Sequence, residues 1–290
     1  MKKILVPTDF SSYSDHACDY ALKLAGSLKA EIKLFHAFLD PVLGSPVPMY
    51  DFGGYEKTHK EIMKNNEDQV VEEMEKLYRK LNERIEKEGI EGITMKSYQI
   101  ENGFADEEIL SYCKVYEPDL VIMGTKGSGG IIKDLFGSVT EKVIENAELP
   151  VLAIPETPYG GIIEKIMYAT DFDESDYEAL RKLMGLVEPL GLKVYVAHLC
   201  FGEMIEKDKE QMEKIKAYVQ EKYAGVKSEF NIIECENILQ SFDDFVEEKQ
   251  IDIISLTTHK RNIFKKILNP SFAKKMLFHT KAPLLVFHAK

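Results

Sequence analysis

The stretch KKILVPTDFSSYSDHACDYALKLA at 2–25 returns, much altered, as EKIMYATDFDESDYEALRKLM at 164–184. In both, a short apolar run leads into Thr-Asp-Phe and then into a segment with apolar residues at helical spacing. Asp9 and Asp171 differ by 171 − 9 = 162. The next apolar runs keep that offset, with His36 in EIKLFHAF and His198 in KVYVAHLC. Farther on, PDLVIMGTKG is matched by IDIISLTTHK and ELPVLAIP by KAPLLVFH, where Asp119 and Asp252 differ by 252 − 119 = 133 and Pro150 and Pro283 by the same amount. The offset shrinks because the second copy is shorter in the middle. Most of the difference falls at DPVLGSPVPMYDFGG, 40–54, a Pro- and Gly-rich stretch that reads as a mobile loop. The chain is two homologous halves that divide within ETPYGG at 156–161, which predicts domains over 1–157 and 162–290.

Inside the first half, apolar runs and helical patterns alternate. Strands are expected at Ile4–Pro7, Ile32–Phe38, Ile93–Ile100, Leu120–Met123 and Val151–Ile154, with helices over Ser14–Leu28, Glu56–Glu88, Asp106–Tyr116 and Ser138–Asn146. Several strands are apolar throughout, as strands covered on both faces are. Strand–helix alternation of this kind gives an α/β fold, a doubly wound parallel sheet in each half.

The composition sets limits on function. The chain has 290 residues, room for two ordinary domains, and 44% are hydrophobic and 30% charged, as in a globular protein. Acidic residues exceed basic ones by 49 − 37 = 12. That excess argues against nucleic acid as a partner, because such binding draws on Lys and Arg to neutralise phosphates. An anionic ligand would need a local site of backbone N–H groups at a helix start. Cys18, Cys113, Cys200 and Cys235 lie far apart with no CxxC pair, so buried free thiols in a reducing compartment are expected. MKKILVPTDF shows no leader peptide and no apolar run is long enough to span a membrane, which points to a cytoplasmic protein.

In an open α/β sheet, ligands sit beyond the C-terminal strand ends where the strand order reverses. With strands 1 and 4 as central neighbours, that crevice is lined by Pro7, Thr8 and Asp9 and by Met123, Gly124 and Thr125. The motif GTKGSGGIIKDLFGSVT at 124–140 begins at the end of strand 4. Gly124 and Gly127 would let backbone approach a ligand, and Gly137-Ser138 would open a helix whose first amides and positive end hold a phosphate. Ser138 is expected as N-cap, with Glu141 completing a capping box. Taken singly, each feature has an ordinary structural reading: a flexible loop, a cap, a turn aspartate. Their meeting at one rim favours a ligand. The GxxxxGK[ST] loop, a GxGxxG after strand 1, HExxH and a Ser-His-Asp constellation are all absent.

Gly124-x-x-Gly127, nine residues, then Gly137-Ser138, together with ILVPTDFS, LFHAF and LPVLAIP, resembles the signature of the universal stress protein family over both halves. The resemblance implies Rossmann-like domains of five parallel strands in the order 3-2-1-4-5. It also implies ATP or AMP as ligand, with Mg²⁺ or Mn²⁺ carried on the phosphates, and a regulatory or stress-response role. Position by position it places Asp9 at the ribose with Pro7 and Thr8 lining the pocket, and the Ala37 backbone at the adenine. Met123 and Gly124 then flank the ribose, and Gly127, Gly137, Ser138 and Val139 hold phosphates. Lys126 has two readings, a cation reaching a terminal phosphate or a solubilising surface lysine. Slow ATP hydrolysis and a nucleotide-free interaction scaffold are the alternative functions. Pairing through the fifth strand implies an intrachain pseudo-dimer, with a further homodimer and an unidentified protein partner also open.

The second half departs from that pattern. At the offset of 133, Gly124 becomes Thr257, Gly127 becomes Lys260 and Gly137 becomes Pro270, while Ser271, Thr170 and Asp171 survive. Side chains now occupy places where backbone had to approach, and proline lacks an N–H. Nucleotide is therefore expected in the first half only. The basic run HKRNIFKK at 259–266 reads as a solvated face or a docking patch for an anionic partner.

Overall fold

The computed structural model describes residues 3–39, 55–125, 137–156, 162–201, 206–259 and 282–289. In the first half, β1 (Lys3–Pro7), α1 (Ser12–Leu28), β2 (Glu31–Phe38), α2 (Tyr55–Glu88) and β3 (Tyr98–Asn102) are followed by α3 (Ala105–Tyr116), β4 (Leu120–Gly124), α4 (Ser138–Asn146) and β5 (Val151–Ile154). The second half runs β6 (Lys165–Ala169), α5 (Ser175–Leu190), β7 (Lys193–Phe201), α6 (Glu206–Lys222), β8 (Ser228–Cys235), α7 (Ile238–Lys249), β9 (Ile253–His259) and β10 (Leu284–Ala289). The expected mobile loop at 40–54 and most of HKRNIFKK lie outside the described residues.

All ten strands form one mixed sheet in the order β3-β2-β1-β4-β5-β10-β9-β6-β7-β8. Each half is parallel in the order 3-2-1-4-5, and the halves meet where β5 runs antiparallel to β10, with Leu152 opposite Leu285. The chain is thus an intrachain pseudo-dimer. Val151, Leu152, Ala153, Leu284, Leu285 and Val286 are all buried at this seam. On the face covered by α1 and α5, a single apolar cluster runs across it, from Leu24 and Ile154 to Leu183 and Phe287. Fully burying aliphatic side chains contributes roughly 1.5–3 kcal/mol each, so neither half would leave its fifth strand exposed without cost.

One strand differs from expectation. The apolar run from Ile93 does not enter the ladder until Tyr98, and Thr94 makes only an isolated bridge to Glu31. Ile90 and Ile93 instead pack as loop residues against the C-terminal end of α1, where a Cβ on Gly26 would lie 2.8 Å from Ile90 Cγ2. Their hydrophobicity serves helix packing rather than strand pairing.

The repeated residues have structural duties that are the same in both halves. Asp119 Oδ2 accepts from the Lys3 N–H (3.0 Å), and Asp252 Oδ2 accepts from the Glu164 and Lys165 N–H groups (2.8 and 2.9 Å). Each aspartate ties the start of its half's first strand to the start of the fourth. His36 and His198 each place Nδ1 on the carbonyl of the threonine that follows the first strand of its half, Thr8 (2.7 Å) and Thr170 (2.9 Å). Phe10 and Phe172 both adopt left-handed backbone, at φ 61° and 62°, and lay their rings on those histidines with centroids 4.6 and 4.1 Å apart. A non-glycine residue there is strained by about 1–3 kcal/mol and persists only where its surroundings fix it. Ring packing and the Thr-His hydrogen bond supply that fixation. The Thr-Asp-Phe repeat is therefore a device for turning strand into helix.

The four cysteines are free and buried, and burial pushes the Cys18 and Cys113 thiols up to about 12. Both remain protonated and unreactive at neutral pH. Among the described residues no helix is long and apolar enough to cross a membrane, and no group of His, Cys, Asp and Glu is placed to hold a metal ion.

Candidate functional site

At the C-terminal ends of β1 and β4, the chain order reverses and a rim opens. Pro7 ends β1, Met123 and Gly124 end β4, Ala37 lies near the end of β2, and Gly137, Ser138 and Val139 begin α4. Lys126 and Gly127 fall outside the described residues. The rim is knitted by backbone bonds: Thr8 N–H donates to Phe35 O (2.8 Å), Thr125 N–H to Ile154 O (2.8 Å), and Gly137 N–H to Thr125 O (2.8 Å). Thr140 adds a buried hydroxyl bond to Gly124 O at 2.9 Å, which anchors the first turn of α4 to the end of β4.

The start of α4 differs in detail from the sequence reading. Gly137, not Ser138, is the N-cap, with φ −66° and ψ 155°, and no side chain caps the helix. The Gly137 N–H donates to Thr125 O, inward to the end of β4. Ser138, Val139 and Thr140 supply the first-turn amides, which have no acceptor within the helix. Ser138 is exposed, Val139 half-buried and Thr140 buried, and their amides lie at the positive end of the helix dipole.

Asp9 is half-buried, and its Oδ1 accepts from both Ser11 N–H (3.2 Å) and Ser11 Oγ. The aspartate closes the turn into α1, and the same bonds fix the direction of its carboxylate. Thr8, buried beside it, bonds Ser14 Oγ (3.1 Å) and accepts from Phe10 N–H (3.1 Å). Burial lowers the pKa of His36, which holds its ring neutral with the Nδ1 proton on Thr8 O.

Gly124 has a different neighbour from the one its motif suggested. A Cβ there would lie 2.8 Å from both the carbonyl carbon and the Cβ of Tyr13, inside any real contact distance. The glycine lets α1 lie directly on the end of β4. Gly124→Ala should destabilise the protein by about 1–3 kcal/mol, the range for overpacking against backbone that cannot move aside, read as a lowered Tm.

In the second half, the same place is filled. Thr257 stands where Gly124 does, Tyr168 (168 − 162 = 6) where Val6 does, and Asp176 (176 − 162 = 14) where Ser14 does. These three with Thr170 form a buried network. Tyr168 donates to Asp176 Oδ1 (2.6 Å) and meets Thr257 Oγ1 (2.7 Å), while Thr170 Oγ1 and the Asp173 N–H (3.1 Å) donate to Asp176 Oδ2. Asp176 is only 1% exposed, and burial raises its carboxyl to about 6 despite these donors. The network pins α5 to β6 and β9. It was missed in the sequence because Ser-Asp-Tyr-Glu reads as an ordinary acidic first turn of a helix. The available signal was the simultaneous change of Val6, Ser14 and Gly124 to Tyr168, Asp176 and Thr257.

Two doubly wound halves fused through their fifth strands, with a helix start facing the β1–β4 crevice, define a tandem Rossmann-like α/β protein. The model of the universal stress protein family matches residues 1–155 and 163–288, and the chain belongs to that family. A universal stress protein of Methanocaldococcus jannaschii is 30% identical over 154 residues, 53% of this chain and 81% of that protein. One from Bacillus subtilis is 27% identical over 152 residues, 52% of this chain and 97% of that protein. Each aligned stretch is about as long as one half. The crystal structure of a universal stress protein from Archaeoglobus fulgidus covers 99% of this chain and 98% of its own, with a TM-score of 0.68 at 17% identity. The tandem arrangement is therefore a shared fold.

Proposed function

We propose that the chain is an adenine-nucleotide-binding regulatory protein that holds one ATP or AMP, in its first half only. The observation that supports this reading most is the contrast between equivalent places. The first half offers the first-turn amides of α4 and an oriented Asp9 at one rim, whereas in the second the places of Val6, Ser14 and Gly124 carry the larger Tyr168, Asp176 and Thr257, which alters the packing under the equivalent rim. In this reading the amides of Ser138 and Val139 and the Ser138 hydroxyl hold the phosphates. Asp9 accepts from the ribose, the Ala37 backbone meets the adenine, and Pro7, Thr8 and Met123 line the pocket. Gly124 admits α1 rather than the ligand. Lys126, Gly127 and any Mg²⁺ or Mn²⁺ act on the phosphate side. Backbone amides at a helix start suit an acidic chain, because they attract an anion locally where the net charge of −12 repels it.

The test is to purify the full chain, release its bound small molecules and identify them by mass spectrometry. An adenine nucleotide at about one per chain is expected. Two per chain overturns the one-sided reading. None, together with no binding of added ATP or AMP, overturns nucleotide binding and favours the interaction scaffold.

A further inference from the structure

His288, near the end of β10, reaches across the seam into the first half. It is 4% exposed, and both of its ring nitrogens face backbone carbonyl oxygens, Nδ1 to Leu149 O at 3.1 Å and Nε2 to Ile144 O at 2.5 Å. A carbonyl oxygen only accepts. A neutral imidazole carries one N–H, so it can satisfy one of these oxygens and must turn a lone pair toward the other. Only the imidazolium donates to both.

The two oxygens belong to a place that calls for donors. Ile144 lies in the last turn of α4, whose final carbonyls have no partner within the helix, and only Val143 O there receives the cap amide, from Ala147. That end also carries the negative pole of the helix dipole, which favours a cation. Leu149 O lies in the turn leading to β5. In the first half, the position equivalent to His288 is Pro155 (288 − 133 = 155), so the arrangement occurs on one side only.

The described charges around the site do not supply a competing cation. On α4, Glu145 is half-buried and Lys142 is paired with Asp106 of α3 at 2.9 Å; Glu148 is exposed on the following turn. From α5, packed on the other face of β10, Glu178 pairs with Arg181 (2.7 Å) and Lys182 (3.8 Å). On β9 the residue in register with His288 is Thr258, followed by His259.

We infer that His288 is held as an imidazolium, a charged clamp by which the second half caps the C-terminal end of α4 and makes the seam between the halves proton-linked. The folded state then binds the proton more tightly than the unfolded chain, where histidine titrates near 6.5. The stability this contributes is fully present below about 6.5 and is lost as pH rises through the higher folded value. Because α4 opens at Gly137 on the candidate site, the clamp grips the far end of the helix that faces that rim. The protonation state itself does not depend on what the rim binds.

The experiment is nitrogen-15 NMR of the full chain with its seven histidines labelled in the ring, from pH 5 to 10. One imidazole is expected to remain doubly protonated at pH 7.5, titrating at least one unit above its ordinary value. That signal should vanish in His288→Gln. Should that variant not fold, through-space contacts from the ring to Ile144 and Leu149 make the assignment in the wild type. A ring assigned to His288 that is neutral at pH 7.5, or a protonated signal that survives in His288→Gln, overturns the proposal.

Discussion

Calorimetric titration of the full chain with ATP should give one site per chain, and Ser138→Pro should weaken it by about ten- to a hundredfold without unfolding the protein. Ser138 is the first residue of α4, the helical position that proline tolerates best, because its N–H has no acceptor within the helix. The preceding Gly137 already has the extended backbone, φ −66° and ψ 155°, that a residue before proline requires. The substitution therefore deletes the amide and the hydroxyl offered to phosphate and leaves the helix able to form. A hydrogen bond to a charged group contributes about 1.5–3 kcal/mol, and about 1.4 kcal/mol is a factor of ten in affinity. An unchanged Tm with unchanged affinity would sink the phosphate role of this helix start. In contrast, Gly137→Pro removes the 2.8 Å bond to Thr125 O. It tests the architecture of the rim, not the phosphate contact.

The second large effect lies in the other half. Asp176→Ala should cost about 3–5 kcal/mol of stability, seen as a fall in the denaturant midpoint, because it strands the Tyr168 and Thr170 hydroxyls and the Asp173 amide. Removing the acceptor of a buried network exacts the desolvation of every donor that it served. Ser14→Ala, at the equivalent place in the first half, breaks the bonds of its hydroxyl to Thr8 and to Ser11 O, neither of them to a carboxylate, and should cost only about 1–2 kcal/mol. The pH dependence has a definite sign. The folded value of Asp176 is raised from 3.8 to about 6. Its contribution is therefore fully present below 3.8 and is lost as pH rises through about 6. With increasing pH across that window, the wild type should lose stability relative to Asp176→Asn, whose side chain does not ionise. A difference that stays flat from pH 4 to 7 would contradict the raised value.

Much of this fold could be read from the sequence because it is written twice. Several residues that recur in both halves have structural duties: Asp119 and Asp252 join strand starts, His36 and His198 brace the threonine turn, and Phe10 and Phe172 hold the left-handed backbone. The seam came from the family resemblance, which implied pairing through the fifth strands, and those strands are buried there as central strands are. What could not be read was direction. Gly124 belongs to a ligand signature, yet its missing Cβ faces Tyr13 on α1. Nothing in the string GTKGSGG says on which side of the backbone the space is needed. Ser138 was expected as a cap because serine favours that place, but Gly137 takes it and its amide turns inward to Thr125. The β3 boundary was obscured because Ile93 is apolar for the sake of a helix, not a ladder.

The antiparallel pairing of β5 with β10 has an evolutionary consequence. In a dimer of identical chains, every substitution appears twice, so a change that repacks one half repacks both. Joining the halves in a single chain removes that constraint. Thr257 could arise opposite an untouched Gly124, and Asp176 opposite an untouched Ser14. Association also ceases to depend on how much protein a cell makes, because the partner is always attached. One half is then free to specialise while the other completes the sheet, at any dilution and at a fixed ratio of one to one.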